Sequence, residues 1–146
     1  EEMFTAERGG GAQMNDRRIR VANRLGLEGA LIGTGFPFRD QRQLDTYLAM
    51  FRTMILNTAG LRRPGSAALD LAYVACGRTD GFWELGLAEW DMAAGALLIN
   101  EAGGTVTDLA GGDRYFQTGN IIGGNLKLHR ALREALQPHL SPSLSA

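Results

Sequence analysis

The sequence predicts an α/β protein: a layered sheet with helices on both faces, preceded by a short N-terminal β-hairpin. Three observations predict it. From about residue 30 onward, short apolar runs suited to buried strands alternate with longer stretches of helical periodicity. The first twenty residues instead carry glycine and Asn-Asp turns between very short strand-like runs. The chain has 146 residues, 45% of them apolar and 21% charged. At this size a chain buries roughly 68% of the surface it exposes when unfolded, enough for a core without metal or disulfide staples. Its 20 glycines, close to twice the ordinary ~7%, mark many turns and close approaches.

The elements follow in order. Met3 to Glu7 reads as a strand, Arg8-Gly9-Gly10-Gly11 as a turn, and Ala12 to Met14 as the returning strand. Asn15-Asp16 is a second turn, followed by Arg17 to Val21. This small meander has little core of its own and is expected to lean on another sheet. Ala30 to Thr34 is an apolar strand ending at Gly35 and the Phe36-Pro37 break. Leu44, Tyr47, Leu48, Phe51, Met54 and Ile55 recur at helical spacing and predict a helix from about Asp40 to Thr58. Gly60 to Arg63 is a short strand. Pro64-Gly65-Ser66 is a turn, with Ser66 placed to cap a small-residue helix over Ala67 to Cys76 that Gly77 stops. Asp80 to Leu85 is the next strand. Trp90-Asp91 opens a helix that runs to Glu101 and ends at Gly103-Gly104. Thr105 to Leu109 and Ile121 to Gly123 are strands, and Leu126 to Leu136 is the last helix. The expected organisation is a hairpin region over 1–24, an α/β domain over 25–137, and a frayed Ser/Pro-rich tail over 138–146.

Composition excludes several functions. Fifteen basic and sixteen acidic residues leave a net charge of −1, so direct nucleic-acid binding through a broad basic footprint is not expected. Cys76 stands alone and the histidines are only His129 and His139, which excludes an intrachain disulfide and cysteine- or histidine-rich metal sites. No stretch reaches the roughly 18 apolar residues of a membrane helix. No signal-peptide pattern is present, and a cytoplasmic location is expected. The chain opens at Glu1-Glu2 without a methionine, as expected of part of something longer. Arg8-Gly9-Gly10-Gly11 is a single copy of an RGG-like run, and Gly33-Thr34-Gly35 lacks the rest of a dinucleotide fingerprint. Cys76 is expected in the core and His129 on the surface of the last helix.

The residues from Gly81 to Gly104 carry the densest chemistry. Glu84 falls near the carboxyl end of a strand and Asp91 at the start of the next helix. Ligands of open α/β sheets collect outside the carboxyl ends of the strands, so both carboxylates are expected to face one crevice. A carboxylate at a helix start is held ionised by the free N–H groups, which suits a hard cation such as Mg2+. Helix capping is the commoner use of an Asp there, and a solvated strand end the commoner setting for a Glu. Gly65, Ser66 and Ala67 form a turn feeding a helix start, whose free N–H groups can bind phosphate or hydroxyl oxygens. For Ser66, too, capping is the commoner role.

Trp90-Asp91-Met92-Ala93-Ala94-Gly95 followed by Glu101-Ala102-Gly103-Gly104 resembles the C-terminal signature of the inositol monophosphatase family. Phe4-Thr5-Ala6, Arg8-Gly9, Gly11-Ala12, Thr34 to Phe38, Arg62 to Tyr73 and Thr118-Gly119-Asn120 resemble its bacterial members. The resemblance implies the C-terminal half of the sugar-phosphatase fold. It implies Asp91 as a ligand of a catalytic Mg2+ and Glu84 as the acceptor of a hydroxyl of the inositol ring. It places Ser66 and Ala67, with Gly65, against the sugar, and Arg62 at the dimer interface in support of the site. The implied activity is Mg2+-dependent hydrolysis of inositol monophosphate by a homodimer. The family's Glu-Glu and Asp-Pro-Leu/Ile-Asp-Gly-Thr/Ser elements, which supply the other ligands, do not occur here; Glu1-Glu2 leads straight into the hairpin and is not that Glu-Glu element. The chain alone is therefore expected to be inactive, because Mg2+ requires several fixed oxygens. Relatives that act on fructose bisphosphate, histidinol phosphate or NADP offer an alternative substrate. Relatives that serve as transcription antitermination factors offer another role, binding a protein partner in a transcription complex.

Overall fold

The computed structural model describes residues 1–144 of the chain. Its centre is a five-stranded mixed sheet. In chain order these strands are β4 (Leu31–Thr34), β5 (Gly60–Arg62), β6 (Gly81–Glu84), β7 (Thr105–Thr107) and β8 (Ile121–Gly124). Their spatial order is β5-β4-β6-β8-β7. β4 runs parallel to both β5 and β6, whereas β8 is antiparallel to β6 and β7. Neighbouring residues on a strand face opposite sides, and both sides are apolar. Phe82 and Ile121 enter one core; Trp83 and Ile122 enter the other.

Helices α2 (Ala67–Ala75) and α3 (Glu89–Glu101) cover the first face, with Leu71, Val74, Met92 and Ile99 fully buried. Helices α1 (Leu44–Asn57) and α5 (Leu126–Leu136) cover the second through Tyr47, Met50, Met54, Leu128 and Leu132. Gly95 sets the α2–α3 distance: a Cβ there would stand 2.4 Å from that of Leu71. A glycine in mid-helix is unfavourable in itself, and here it permits close packing of two helices. A short helix α4 (Tyr115–Thr118), which the sequence pattern did not indicate, precedes β8.

The N-terminal residues form an antiparallel meander of β1 (Phe4–Glu7), β2 (Gly11–Met14) and β3 (Arg17–Arg18). Among the described residues it lies on helix α3. Ala12 and Ile19 join the α2–α3 core. The Glu101 carboxylate, at the end of α3, accepts the Gly9 and Gly11 N–H groups at 2.8 and 2.9 Å. β3 is shorter than expected because the chain leaves the meander to dock on α3, where the Val21 N–H donates to the Ala102 carbonyl.

Two further expectations are corrected. His129 is buried, not on the surface. Its Nε2 lies 2.8 Å from the Thr107 hydroxyl, and burial pulls its pKa below the usual histidine range. The part of the tail over 138–144 packs back on the molecule rather than fraying. Leu144 enters the α1–α5 core, His139 Nε2 lies 2.7 Å from the Thr53 hydroxyl, and Gln43 donates to Ser143 Oγ. The end of the expected tail, 145–146, lies outside the described residues. Cys76, expected in the core, is half-buried at the end of α2. No helix among the described residues is long and apolar enough to cross a membrane.

Candidate functional site

The parallel strands β4, β5 and β6 all end at the same edge of the sheet. Each carboxyl end hands the chain to a segment that lines one cleft of about 700 Å³. β4 gives way to Gly35 and the Phe36–Asp40 loop. β5 leads through Arg63 and Gly65 to the start of α2, and β6 ends at Glu84. The start of α3 brings in Asp91, and Asn120 comes from the approach to β8. This is where an open α/β sheet places ligands.

Glu84 sits on the cleft floor. Its slot exists because Gly35 has no side chain: a Cβ there would stand 1.6 Å from Glu84 Oε1. The carboxyl is pushed up to about 7, first by burial and then by the nearby Asp70 and Asp91 carboxylates, with Arg63 and Arg39 opposing. Asp70, on α2, is 4% exposed and its Oδ2 has no hydrogen-bond partner. Burial pushes it up to about 6, against the pull of Arg63. These acids therefore differ from ordinary surface carboxylates: they are held with little local compensation.

Ser66 occupies the residue before α2 in an extended conformation, but its side chain caps nothing. Its hydroxyl and the first N–H groups of α2, those of Ala67 and Ala68, remain available to a ligand beside Gly65. Asp91 is the third residue of α3. Its Oδ2 accepts the Ala88 N–H at 3.0 Å and faces Arg39 Nη1 at 3.4 Å; its Oδ1 takes no hydrogen bond among the described residues. The capping bond fixes the carboxylate through Oδ2 and leaves Oδ1 without a hydrogen bond, so capping and ligand binding are compatible here. Asp91 fits a hard cation as one ligand. Among the described residues, no three His, Cys, Asp or Glu side chains are grouped to hold a metal ion.

The sequence-derived candidates Gly65, Ser66, Ala67, Glu84 and Asp91 all line the cleft. Arg62 does not. It is exposed on β5, and its Nη1 donates to the Leu61 carbonyl. Sequence reasoning missed Asp70, Arg39 and Arg63. Asp70 carried a readable signal, an acid four residues after Ser66 on the same side of an otherwise apolar helix. Arg63 carried one too, standing two residues before Gly65 in the turn that feeds α2; Arg39 carried none, since loop packing alone brings it to the cleft.

A sequence profile of the inositol monophosphatase family matches residues 1–143. A Pseudomonas aeruginosa protein named Nus factor SuhB is 60% identical over 146 residues, covering 99% of this chain and 54% of that protein. A Rhizobium meliloti inositol-1-monophosphatase is 55% identical over 137 residues, covering 94% of this chain and 52% of that protein. The chain thus spans about half the length of the curated relatives it matches. The crystal structure of the extragenic suppressor protein suhB from Bartonella henselae superposes with a TM-score of 0.91 at 52% identity, covering 95% of this chain and 53% of that one. The inositol monophosphatase from Anabaena gives 0.88 at 41% identity, covering 99% and 59%. Profile, relatives and superposed structures agree: the chain belongs to the inositol monophosphatase family.

Proposed function

We propose that this chain is the C-terminal part of a Mg2+-dependent phosphate-monoester hydrolase acting on inositol monophosphate. The observation that carries the reading is the convergence of Glu84, Ser66, Ala67 and Asp91 on one cleft at the carboxyl ends of three parallel strands. Asp91 contributes one oxygen to the metal. Bound Mg2+ supplies Lewis-acid stabilisation of phosphate oxygens in this class of hydrolysis. Glu84 accepts a hydrogen bond from a ring hydroxyl, while the Ser66 hydroxyl and the Ala67 N–H hold the polyol from the other side. Gly65 lets the chain pass close to the sugar. Arg62, outside the cleft, supports a homodimer interface in the intact cytoplasmic enzyme.

One carboxylate does not hold Mg2+ in near-octahedral coordination, so this chain alone is inactive and the remaining ligands come from elsewhere in the intact enzyme. The test compares the intact enzyme with the 146-residue chain on inositol 1-phosphate with Mg2+. Expected are hydrolysis by the first, none by the second, and loss of about 100-fold or more in kcat for Asp91→Asn in the intact enzyme. Turnover by the chain alone, or an indifferent Asp91→Asn, overturns the reading. A panel with fructose bisphosphate, histidinol phosphate and NADP decides among the family's substrates.

The relative named Nus factor SuhB favours a second reading, in which the same fold binds a protein partner in a transcription complex. A pull-down in which Asp91→Asn keeps the partner but abolishes hydrolysis supports that role. Equal loss of both refutes it.

A further inference from the structure

The link from Glu84 to helix α3, Leu85 to Ala88, belongs to no strand or helix, yet it joins the two acids on which the site reading depends. Its successive N–H groups are each taken by a specific acceptor. The Gly86 N–H donates to Asn120 Oδ1 at 3.1 Å, the Leu87 N–H to the Gly119 carbonyl at 2.8 Å, and the Ala88 N–H to Asp91 Oδ2 at 3.0 Å. The first two acceptors come from one turn, where α4 ends. The approach is close: Gly119 has a φ of +74°, and a Cβ there would stand 2.6 Å from the Leu87 carbonyl oxygen.

Asn120 is 8% exposed and lines the cleft, and its own N–H donates to the Thr118 hydroxyl at 3.2 Å. A backbone N–H only donates, so the amide atom that meets Gly86 is the oxygen, and the side chain is fixed in orientation as well as place. Gly86 itself is exposed, and water would serve its N–H without this amide. The consequence of the bond is therefore local: it removes freedom from a link that turns at Gly86 with a φ of +72°. Glu84 does not depend on the link, because the β6–β8 ladder pairs it with Ile121 and the Gly35 slot receives it. Asp91 does, because the bond that restrains it comes from Ala88. We propose that Asn120 is a positioning residue for Asp91: through Gly86 and the Ala88 N–H it fixes that carboxylate where a divalent cation meets it. The inference rests on the phosphatase reading for the identity of the cation.

The test reads the link and the cation separately. In the 146-residue chain, Asn120→Ala is expected to speed hydrogen exchange of the Gly86, Leu87 and Ala88 amides about tenfold while the Ile99 amide of α3 keeps its rate. In the intact enzyme it is expected to weaken Mg2+ binding, measured by calorimetry, about tenfold, the scale for residues that orient a metal ligand. The Mg2+ needed for half-maximal hydrolysis should rise by the same factor, with KM for inositol 1-phosphate altered less than about twofold. Asn120→Asp keeps the acceptor oxygen and is expected to restore slow exchange and most of the affinity. Gly119→Ala pushes Leu87 away without touching the Asn120 amide and is expected to reproduce the loss. Asp80→Ala, at the other end of the sheet, should lower stability and leave Mg2+ binding unchanged. The proposal is overturned by an Asn120→Ala that binds Mg2+ as the wild type does, or by an Asp80→Ala that weakens it equally. It is also overturned by an Asn120→Asp that binds as weakly as Asn120→Ala while the link stays protected, which would put the amide on the ligand itself. If the intact enzyme turns over no monoester, yet Asn120→Ala frees the link and weakens Mg2+ binding, the reaction is defeated and the positioning role stands.

Discussion

The two ends of the central sheet treat their acids in opposite ways. At the amino ends of β4 and β6, Asp80 accepts the Leu31 N–H at 2.8 Å and lies 3.3 Å from Arg24 Nε. Asn125, at the same edge, donates from Nδ2 to the Ala22 and Arg24 carbonyls, both at 2.8 Å. Every polar group named there has a partner that ties one segment to another. At the carboxyl ends, Asp70 Oδ2 is buried with no partner, and Glu84 sits in its glycine-lined slot beside two other acids. One end is built to hold the fold. The other retains acids without hydrogen-bond partners, at a cost in stability.

The largest effect follows from the satisfied end. Asp80→Ala removes the acceptor of the Leu31 N–H and the partner of Arg24 together. It is expected to destabilise the chain by about 2 kcal/mol, measured by urea denaturation. The opposite sign is expected across the sheet. Asp70→Asn is expected to stabilise the chain by about 1–2 kcal/mol at pH 8, since it removes a charge that burial opposes. The pH dependence separates this from a packing effect. Asp70 titrates at about 6 when folded and near 3.8 when unfolded. Between these values the native state holds the proton and the unfolded chain does not, so stability falls as pH rises through the window. The advantage of Asp70→Asn should therefore be complete above pH 6 and vanish near pH 4. If Asp80→Ala and Asp70→Asn shift stability in the same direction at pH 8, the contrast between the two ends is wrong.

Glu84 provides a third measurement of the same kind. Its carboxyl is raised from 4.5 to about 7, so the wild-type chain should lose stability between those values and Glu84→Gln should flatten that fall. Part of the rise comes from Asp70 and Asp91, and the two substitutions should therefore not add. The double variant Asp70→Asn with Glu84→Gln should gain less than the sum of the single variants. Additivity would show that the two acids do not sense one another.

This division was only partly legible in the sequence. Strand–helix alternation revealed the layered sheet, and a Glu at a strand end followed by an Asp at a helix start pointed to the shared cleft they line, because both signals are local. Asp70 stood out as an acid in an apolar helix, but its meaning depends on Glu84, which a different strand brings alongside. Arg63 stands over the rings of Phe36 and Phe38, on a loop that precedes a whole helix and strand. His129 read as exposed because its partner, Thr107, comes from another element. The tail read as frayed because its serines and prolines carry no periodic pattern, yet Leu144 finds the α1–α5 core. In each case the missing information was tertiary.

The smallest predicted effect concerns how firmly Asp91 is held. Two contacts restrain it, the Ala88 N–H at 3.0 Å and Arg39 at 3.4 Å. Arg39 is 65% exposed and approaches at the long end of ion-pair range. Such a pair is worth less than about 0.5 kcal/mol and weakens with salt. Arg39→Gln should therefore change stability by no more than that, and a double-mutant cycle with Asp91→Asn should give a coupling of the same size. A larger coupling would mean that Arg39 locks the carboxylate, and a cation approaching Asp91 would have to displace a strong competitor. A small one leaves the capping bond as the restraint that aims Asp91. Oδ1, which takes no hydrogen bond among the described residues, would then accept a ligand without any rearrangement of α3.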